Sequence, residues 1–312
     1  MSLLDEFTSR LDIKTLIPFE TYEGAAYHYT SLGNVNSMLS DDEGLILWAS
    51  RHDCLNDASE GTLPEIRFAQ ACDRLRKSKA IDEGFFDLIR DVRPNRTRLI
   101  FQTVDGKIRP KRDEFKTYTA SFSEDPDALA MWNYYSKGDR YDGMNIGVSC
   151  RAMLDSLNSS QSGSRAMEAE IVKVVYNEDE QLEIIERAIL NLSRNYTPGY
   201  ETSVRYWIGE LLANLKPVFK LSFFSHEKEV RLFARVFKKA EPKTPVKYRS
   251  NAGYVIPYIE LGFGKTSVSQ ITLGPSFSDD RQKEIQQAVV REMLESREYR
   301  ALVKHSQIPV RY

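Results

Sequence analysis

Two carboxylates and a cation recur at every second position in the run Ser225-His226-Glu227-Lys228-Glu229-Val230-Arg231. In a strand that spacing puts Glu227, Glu229 and Arg231 on one side, while Val230, Leu232 and Ala234 face the core. A carboxylate held in this way stabilises positive charge that develops when a glycosidic bond breaks. The same triplet on an open sheet is an ordinary surface ion pair of small energetic weight. A second set begins at His28, which lies between Tyr27 and Tyr29 and is followed by Thr30 and Ser31. Its ring serves a ligand, or it serves a buried backbone carbonyl as a packed core histidine. Ser121 and Ser123 flank Phe122 and share a strand face with Thr119, offering hydroxyls to a sugar or an amide. Tyr134 and Tyr135 supply aromatic area with a polar tip, and Trp132 and Tyr135 share a helical face that core packing would equally explain.

Other arrangements fail on spacing. Gly262-Phe263-Gly264-Lys265-Thr266-Ser267 lacks the first glycine of a phosphate loop, because Ile259 stands there, and a strand follows where a helix is required. His52 and Cys54 are two apart with no second Cys/His cluster, so no zinc set is complete and no metal site is expected. The Gly-x-Ser-x-Gly elbow of serine hydrolases is absent. Asn56, Asp57 and Glu60 read as a polar turn, with no chemical role assigned.

These residues need elements to position them. Alternation predicts strands at Ala25 to Thr30, Leu45 to Ala49, Tyr118 to Ser123, Gly143 to Ser149 and Glu170 to Tyr176. Further strands are expected at Glu229 to Val236, Tyr254 to Leu261, Gln270 to Leu273 and Ile308 to Val310. A short helix after Ser31, closed by Gly44, joins the first two strands. Helical periodicity spans Pro64 to Arg93 and Glu178 to Lys216, and Asp125-Pro126 opens a helix through Tyr135. Asp279 to Glu298 is amphipathic, with Ile285, Val289 and Met293 on one stripe. The stretch from Arg90 to Lys116 is basic and irregular. The expected fold class is α+β with a mixed sheet core. The expected organisation is an extension over 1–24, then a single domain over 25–312 with helical insertions near 61–95 and 178–217.

The chain has 312 residues, and its 43 Lys+Arg against 45 Asp+Glu exclude a coat that is basic throughout. Nine cations between Arg90 and Lys116 face four acids, so a local nucleic-acid contact stays open beside the plainer reading of a solvated face. Three cysteines suit reduced thiols, and no secretory signal or membrane span is visible, so a cytoplasmic protein with no membrane partner is expected.

Several blocks carry a resemblance. Tyr27-His28-Tyr29-Thr30-Ser31-Leu32, Asn56-Asp57 with Glu60, Ser121-Phe122-Ser123-Glu124, Met131-Trp132 with Tyr135, and Glu227-Lys228-Glu229-Val230-Arg231 resemble the bacterial domain of unknown function 2971 family. Ile271 to Pro275 and Ser306 to Arg311 resemble its closing blocks, so the likeness runs from about Tyr27 to Tyr312. A weaker resemblance is to ADP-ribosyltransferases, in which a first-strand His, a helix, a second strand and a late-strand Glu make the site. That resemblance implies an ADP-ribosyltransferase-like fold with NAD as substrate across these strands. It implies His28 as ribose anchor, Thr30, Ser121, Ser123 and Tyr135 as further NAD contacts, Glu229 as the catalytic carboxylate and Glu227 as its helper. The sequence departs from the pattern after Trp48, where Ser50-Arg51-His52-Asp53 replaces the usual aromatic beside a Gly.

The function expected from the resemblance is that of a toxin or phage-defence effector modifying nucleic acid or protein, with an antitoxin or immunity partner. The alternative is a non-catalytic sensor or interaction module that binds a nucleotide or a partner protein. The enzyme reading requires His28, Glu229 and one of Ser121 or Ser123 to line a common cleft.

Overall fold

The computed structural model describes residues 3–17, 19–55, 61–104, 107–135, 143–160, 167–238, 245–251, 253–275 and 279–309, and side chains 98–113, 158 and 160 lie outside that description. Asn56, Asp57 and Glu60 therefore lie outside the described residues, as do most side chains of the basic stretch.

In chain order the elements are α1 (Leu3–Thr8), β1 (Ala25–Ser31), α2 (Val35–Met38), β2 (Leu39–Ser40), β3 (Gly44–Arg51), α3 (Leu63–Lys77) and α4 (Glu83–Ile89). Then come β4 (Thr97–Val104), β5 (Lys107–Ser123), α5 (Leu129–Tyr135), β6 (Gly143–Ser149), α6 (Cys150–Ser160), β7 (Met167–Lys173), α7 (Glu178–Asn195) and α8 (Glu201–Leu215). The chain continues through β8 (Glu229–Phe237), β9 (Lys247–Asn251), β10 (Tyr254–Phe263), β11 (Val268–Leu273), α9 (Asp280–Ser296) and β12 (Leu302–His305). The protein is thus a mixed α/β structure around a mixed sheet. β11 and β12 pair in parallel, and the other ladders are antiparallel.

The sheet path runs β12-β11-β6-β1-β5-β3-β10-β9, with β8 on β5 and β7 on β8. Strand β5 organises it. One edge pairs with β8 from Phe115 to Ser123. The other edge is shared, with β3 at Tyr118 and Thr119 and β1 at Ser123 alone. Between those two contacts the sheet forks at Ser121.

Each sheet face is covered differently. Val230, Leu232 and Ala234 join Phe122, Ile146 and Val148 in a core under α6 and α9. On the other face Phe233 and Val172 join a helical core from α1, α3, α4, α7 and α8. Phe7 and Leu16 are buried in that helical core, so the residues ahead of β1 pack into the protein. Burial of such side chains contributes about 1.5 to 3 kcal/mol each. Among the described residues no helix is long and apolar enough to cross a membrane.

Four local expectations are corrected. The stretch after Arg90 is an extended ribbon, β4 on β5, rather than irregular chain. Gly44 opens β3 at φ +78° instead of closing a helix, and the helix ends at Met38. Ile285 and Val289 of α9 are exposed, and its buried residues are Val290 and Leu294. The terminal strand is Leu302–His305, and Ile308 and Pro309 lie beyond it in non-strand chain.

Candidate functional site

Strand β8 carries Glu229, Arg231, Phe233 and Arg235 on the face of the helical core. Arg231 stands opposite Ser121, and Glu229 opposite Ser123. Directly paired residues share a face, so Ser121, Ser123 and Glu229 do. Glu229 is 4% exposed and Arg231 is 1% exposed. The Arg231 Nε and Nη2 groups donate to the two Glu229 oxygens at 2.8 and 2.7 Å. Lys220, which follows α8, donates to Glu229 Oε2 at 3.1 Å and to Glu227 Oε2 at 2.6 Å. Ser121, opposite Arg231 on β5, also favours the charged form of Glu229. Burial opposes ionisation of Glu229, yet Arg231, Lys220 and Ser121 hold its carboxyl down to about 2. A carboxylate has about four acceptor directions. Arg231 and Lys220 occupy three of them, on both oxygens.

Glu227 is not on the strand. It ends a 3-10 turn over Ser222–Glu227, and Lys228 takes a left-handed conformation at φ 44° before β8 begins. That conformation is uncommon for a residue other than glycine, and such strain gathers at functional sites. Lys228 Nζ pairs with Asp125 at 3.0 Å, and the Ser123 hydroxyl donates to the Glu227 carbonyl at 2.7 Å. The reversal at Lys228 brings Glu227 to the Lys220 ammonium, with its side chain 16% exposed. Only Oε2 of Glu227 is engaged among the described residues.

Tyr135, at the end of α5, stands beside this network. It is 42% exposed, and burial of its hydroxyl, followed by the charges of Glu229 and Glu227, pushes its pKa up to about 12. Tyr134 is exposed, and its hydroxyl lies 3.0 Å from His226 Nε2. Tyr176 accepts a hydrogen bond from the Glu229 backbone N–H at 3.0 Å.

His28 and Thr30 stand apart. Tyr27 pairs with Ser123, so alternation sends His28 and Thr30 to the opposite face of the sheet, that of Ile146 and Met144. The His28 ring packs edge-on against Phe122 at 5.6 Å, and its Nδ1–H donates to the Ser121 carbonyl at 2.9 Å. Burial lowers its pKa, and that carbonyl partly opposes the shift. Thr30 accepts from Asn34 Nδ2 at 2.9 Å. The expected common cleft of His28 and Glu229 is therefore corrected to two faces joined through Ser121, whose carbonyl meets one residue and whose side chain meets the other. Ser123 is fully buried and bonds the backbone at Glu227 and Asp125, which fixes the turn.

The sequence reading missed a histidine on the Glu229 side. His52 follows β3 and is 6% exposed, with Nδ1 3.3 Å from Thr119 Oγ1. Burial, then the nearby Arg231 and Lys216, hold its pKa down to about 3. Its link to the site depends on the pairing of Ser50 with Thr119, a long-range contact that sequence spacing does not reveal. Lys220 was missed as well, because nothing local marks a lysine as buried.

Of the cations in the basic stretch, Arg90 and Arg93 are ion-paired with Asp87 and Glu65. Among the described residues no group of three or more His, Cys, Asp or Glu could hold a metal ion.

A family model described as Protein of unknown function (DUF2971) matches residues 131–232. That segment runs from within α5 into β8 and holds Trp132, Tyr135, Lys220, Glu227, Glu229 and Arg231. No curated protein and no solved structure matches the chain.

Proposed function

We propose that this member of the family of unknown function DUF2971 is an NAD-consuming, ADP-ribosyltransferase-like protein whose ligand-facing carboxylate is Glu227. One observation carries the reading: Arg231 and Lys220 hold both oxygens of Glu229, while Glu227 shares the same Lys220 ammonium through Oε2 alone and, among the described residues, has no partner on Oε1. Glu229 is then the buried counter-ion that fixes Arg231 and Lys220, and Lys220 in turn fixes Glu227. A free carboxylate oxygen next to an aromatic ring suits a ribose hydroxyl beside a planar base.

In the proposed reaction the bond between the ribose anomeric carbon and nicotinamide breaks. The electron pair leaves with nicotinamide, and the sugar gains oxocarbenium character that Glu227 stabilises. An acceptor oxygen or nitrogen then attacks the anomeric carbon and loses its proton. Ser121 supports the sugar side, and His28 takes no part in this reading because its ring serves the Ser121 carbonyl. The nucleic-acid or protein acceptor, the toxin or phage-defence role, the antitoxin partner and the cytoplasmic setting rest on the resemblance to ADP-ribosyltransferases alone.

A second reading is favoured by the same ion pairs. Two cations already compensate the two carboxylates, which weakens the field a reacting sugar would feel. A non-catalytic nucleotide-binding module is built in this way. Incubation of the purified chain with labelled NAD, with and without RNA, DNA or cell lysate, separates the two. Label transfer or nicotinamide release supports the enzyme. NAD that raises the melting temperature without turnover supports the module. No turnover and no melting shift would end both.

A further inference from the structure

Strand β5 is longer than the sheet it belongs to. Its pairing with β8 begins at Phe115, opposite Phe237, so the part from Lys107 to Glu114 lies beyond that ladder. Over those eight positions its partner is β4, in one unbroken register from Thr97 opposite Glu114 to Val104 opposite Lys107. Among the described residues β4 pairs with β5 alone. The result is a two-stranded ribbon, about 27 Å long, that leaves the sheet.

Directly paired residues share a face of a ribbon. Arg98 with Asp113, Ile100 with Lys111, Gln102 with Arg109 and Val104 with Lys107 make one face. Thr97 with Glu114, Leu99 with Arg112, Phe101 with Pro110 and Thr103 with Ile108 make the other. The first face therefore carries four cations and one acid, whereas the second carries one charge of each sign among apolar residues. The whole chain is nearly balanced, at 43 Lys+Arg against 45 Asp+Glu, so this sorting is local. Along β5 the cations Lys107, Arg109 and Lys111 recur at every second position, about 7 Å apart. Like charges spaced so closely on one face destabilise a strand pair, and a solvated face relieves this by mixing signs. Here the one acid stands opposite Arg98, and no carboxylate stands opposite the other three cations in the register. A polyanion laid along the face compensates them.

We infer that the β4–β5 ribbon is a nucleic-acid-binding arm, whose face of Arg98, Lys107, Arg109 and Lys111 docks in the major groove of duplex DNA. That groove is about 12 Å wide and admits a two-stranded β-ribbon, with phosphates along both walls to meet the cations. The major groove of duplex RNA is too deep and narrow for such an element. Single strands are held by aromatic stacking, and this face of the ribbon carries no aromatic residue. The arm is separate from the Glu227 site, and its binding is expected whether or not NAD is consumed.

The test is fluorescence anisotropy of the full chain on labelled DNA duplex, RNA duplex and single-stranded DNA, between about 50 and 200 mM salt. Co-sedimentation with phosphatidylserine vesicles runs beside it. Lys107→Gln, Arg109→Gln and Lys111→Gln are combined in one variant, and Lys14→Gln, Arg187→Gln and Arg194→Gln, at exposed cations elsewhere, in a control. Melting curves check that both fold. The expected result is duplex binding that weakens at least about tenfold in the ribbon variant at the lower salt, while the control binds like the parent. The slope of log affinity against log salt should shrink by about 2.7, at about 0.9 for each of the lost contacts. If the ribbon variant does not fold, the parent's own slope decides: a magnitude above about 2.7 supports the arm, and a flatter one overturns it. A parent that does not bind duplex DNA, a ribbon variant that binds as tightly as the parent, or an equal loss in the control overturns it as well. Tighter binding to single-stranded DNA, duplex RNA or the vesicles than to duplex DNA overturns the choice of partner.

Discussion

Glu229 and Glu227 look alike in the sequence and differ in almost every physical respect. The first is anchored on both oxygens by Arg231 and Lys220, and the second is tethered on one oxygen at the rim. Removing one partner of a buried ion pair leaves a charge unpaired and costs about 3 to 5 kcal/mol. Glu229→Gln therefore lowers the unfolding free energy by about that amount in denaturant titration, while Glu227→Gln changes it by less than about 1 kcal/mol. The pH dependence follows from two lowered pKa values. Glu229 falls from 4.5 to about 2 on folding, so its contribution is complete above pH 4.5 and is lost as pH drops through about 2. His52 falls from 6.5 to about 3, so folding favours its neutral form, and stability declines as pH drops from 6.5 towards 3. Melting temperatures of His52→Gln should decline less than those of the parent between those two values. A parallel decline in both would show that His52 does not titrate as described.

At the scale of elements, β8 was legible because alternation over nine residues forces Val230, Leu232 and Ala234 inward. The departure of Glu227 from that pattern was not legible, since the left-handed residue that causes it is Lys228 rather than a glycine. The β4–β5 ribbon was hidden by its cations, because charge on a strand reads as solvated loop when the pairing partner is unknown. On α9, helical spacing fits either of two adjacent stripes, and contact with the sheet selected Val290 and Leu294. Gly44 tests the turn into β3. A methyl group there would collide with the Phe263 carbonyl, and its φ of +78° disfavours any side chain. Gly44→Ala is expected to cost more than about 1 kcal/mol in the same titration. A neutral result would mean that β3 and β10 are set by other contacts.

For the molecule as a whole, the helical core lies over β7 and β8, and α6 and α9 cover the opposite face. At β3 and β10 the same face carries the exposed Trp48 beside the buried Ser50 and Tyr258. Glu227, Tyr135 and His52 come from three separate segments of the chain. Sequence alone supplied β1, β3, the end of β5, β8 and the mixed sheet, since those follow from local periodicity, whereas β9 was not expected. It misassigned the histidine, because the face a strand presents depends on register with a strand nearly a hundred positions away, as Tyr27 with Ser123 shows. The central claim is that Glu227 faces the ligand, and nicotinamide release from NAD by the parent and by Glu227→Gln tests it most directly. The account predicts a parent that releases nicotinamide and a Glu227→Gln chain that melts normally yet is about 100- to 1,000-fold slower. A Glu227→Gln chain that releases nicotinamide at the parent rate would contradict it.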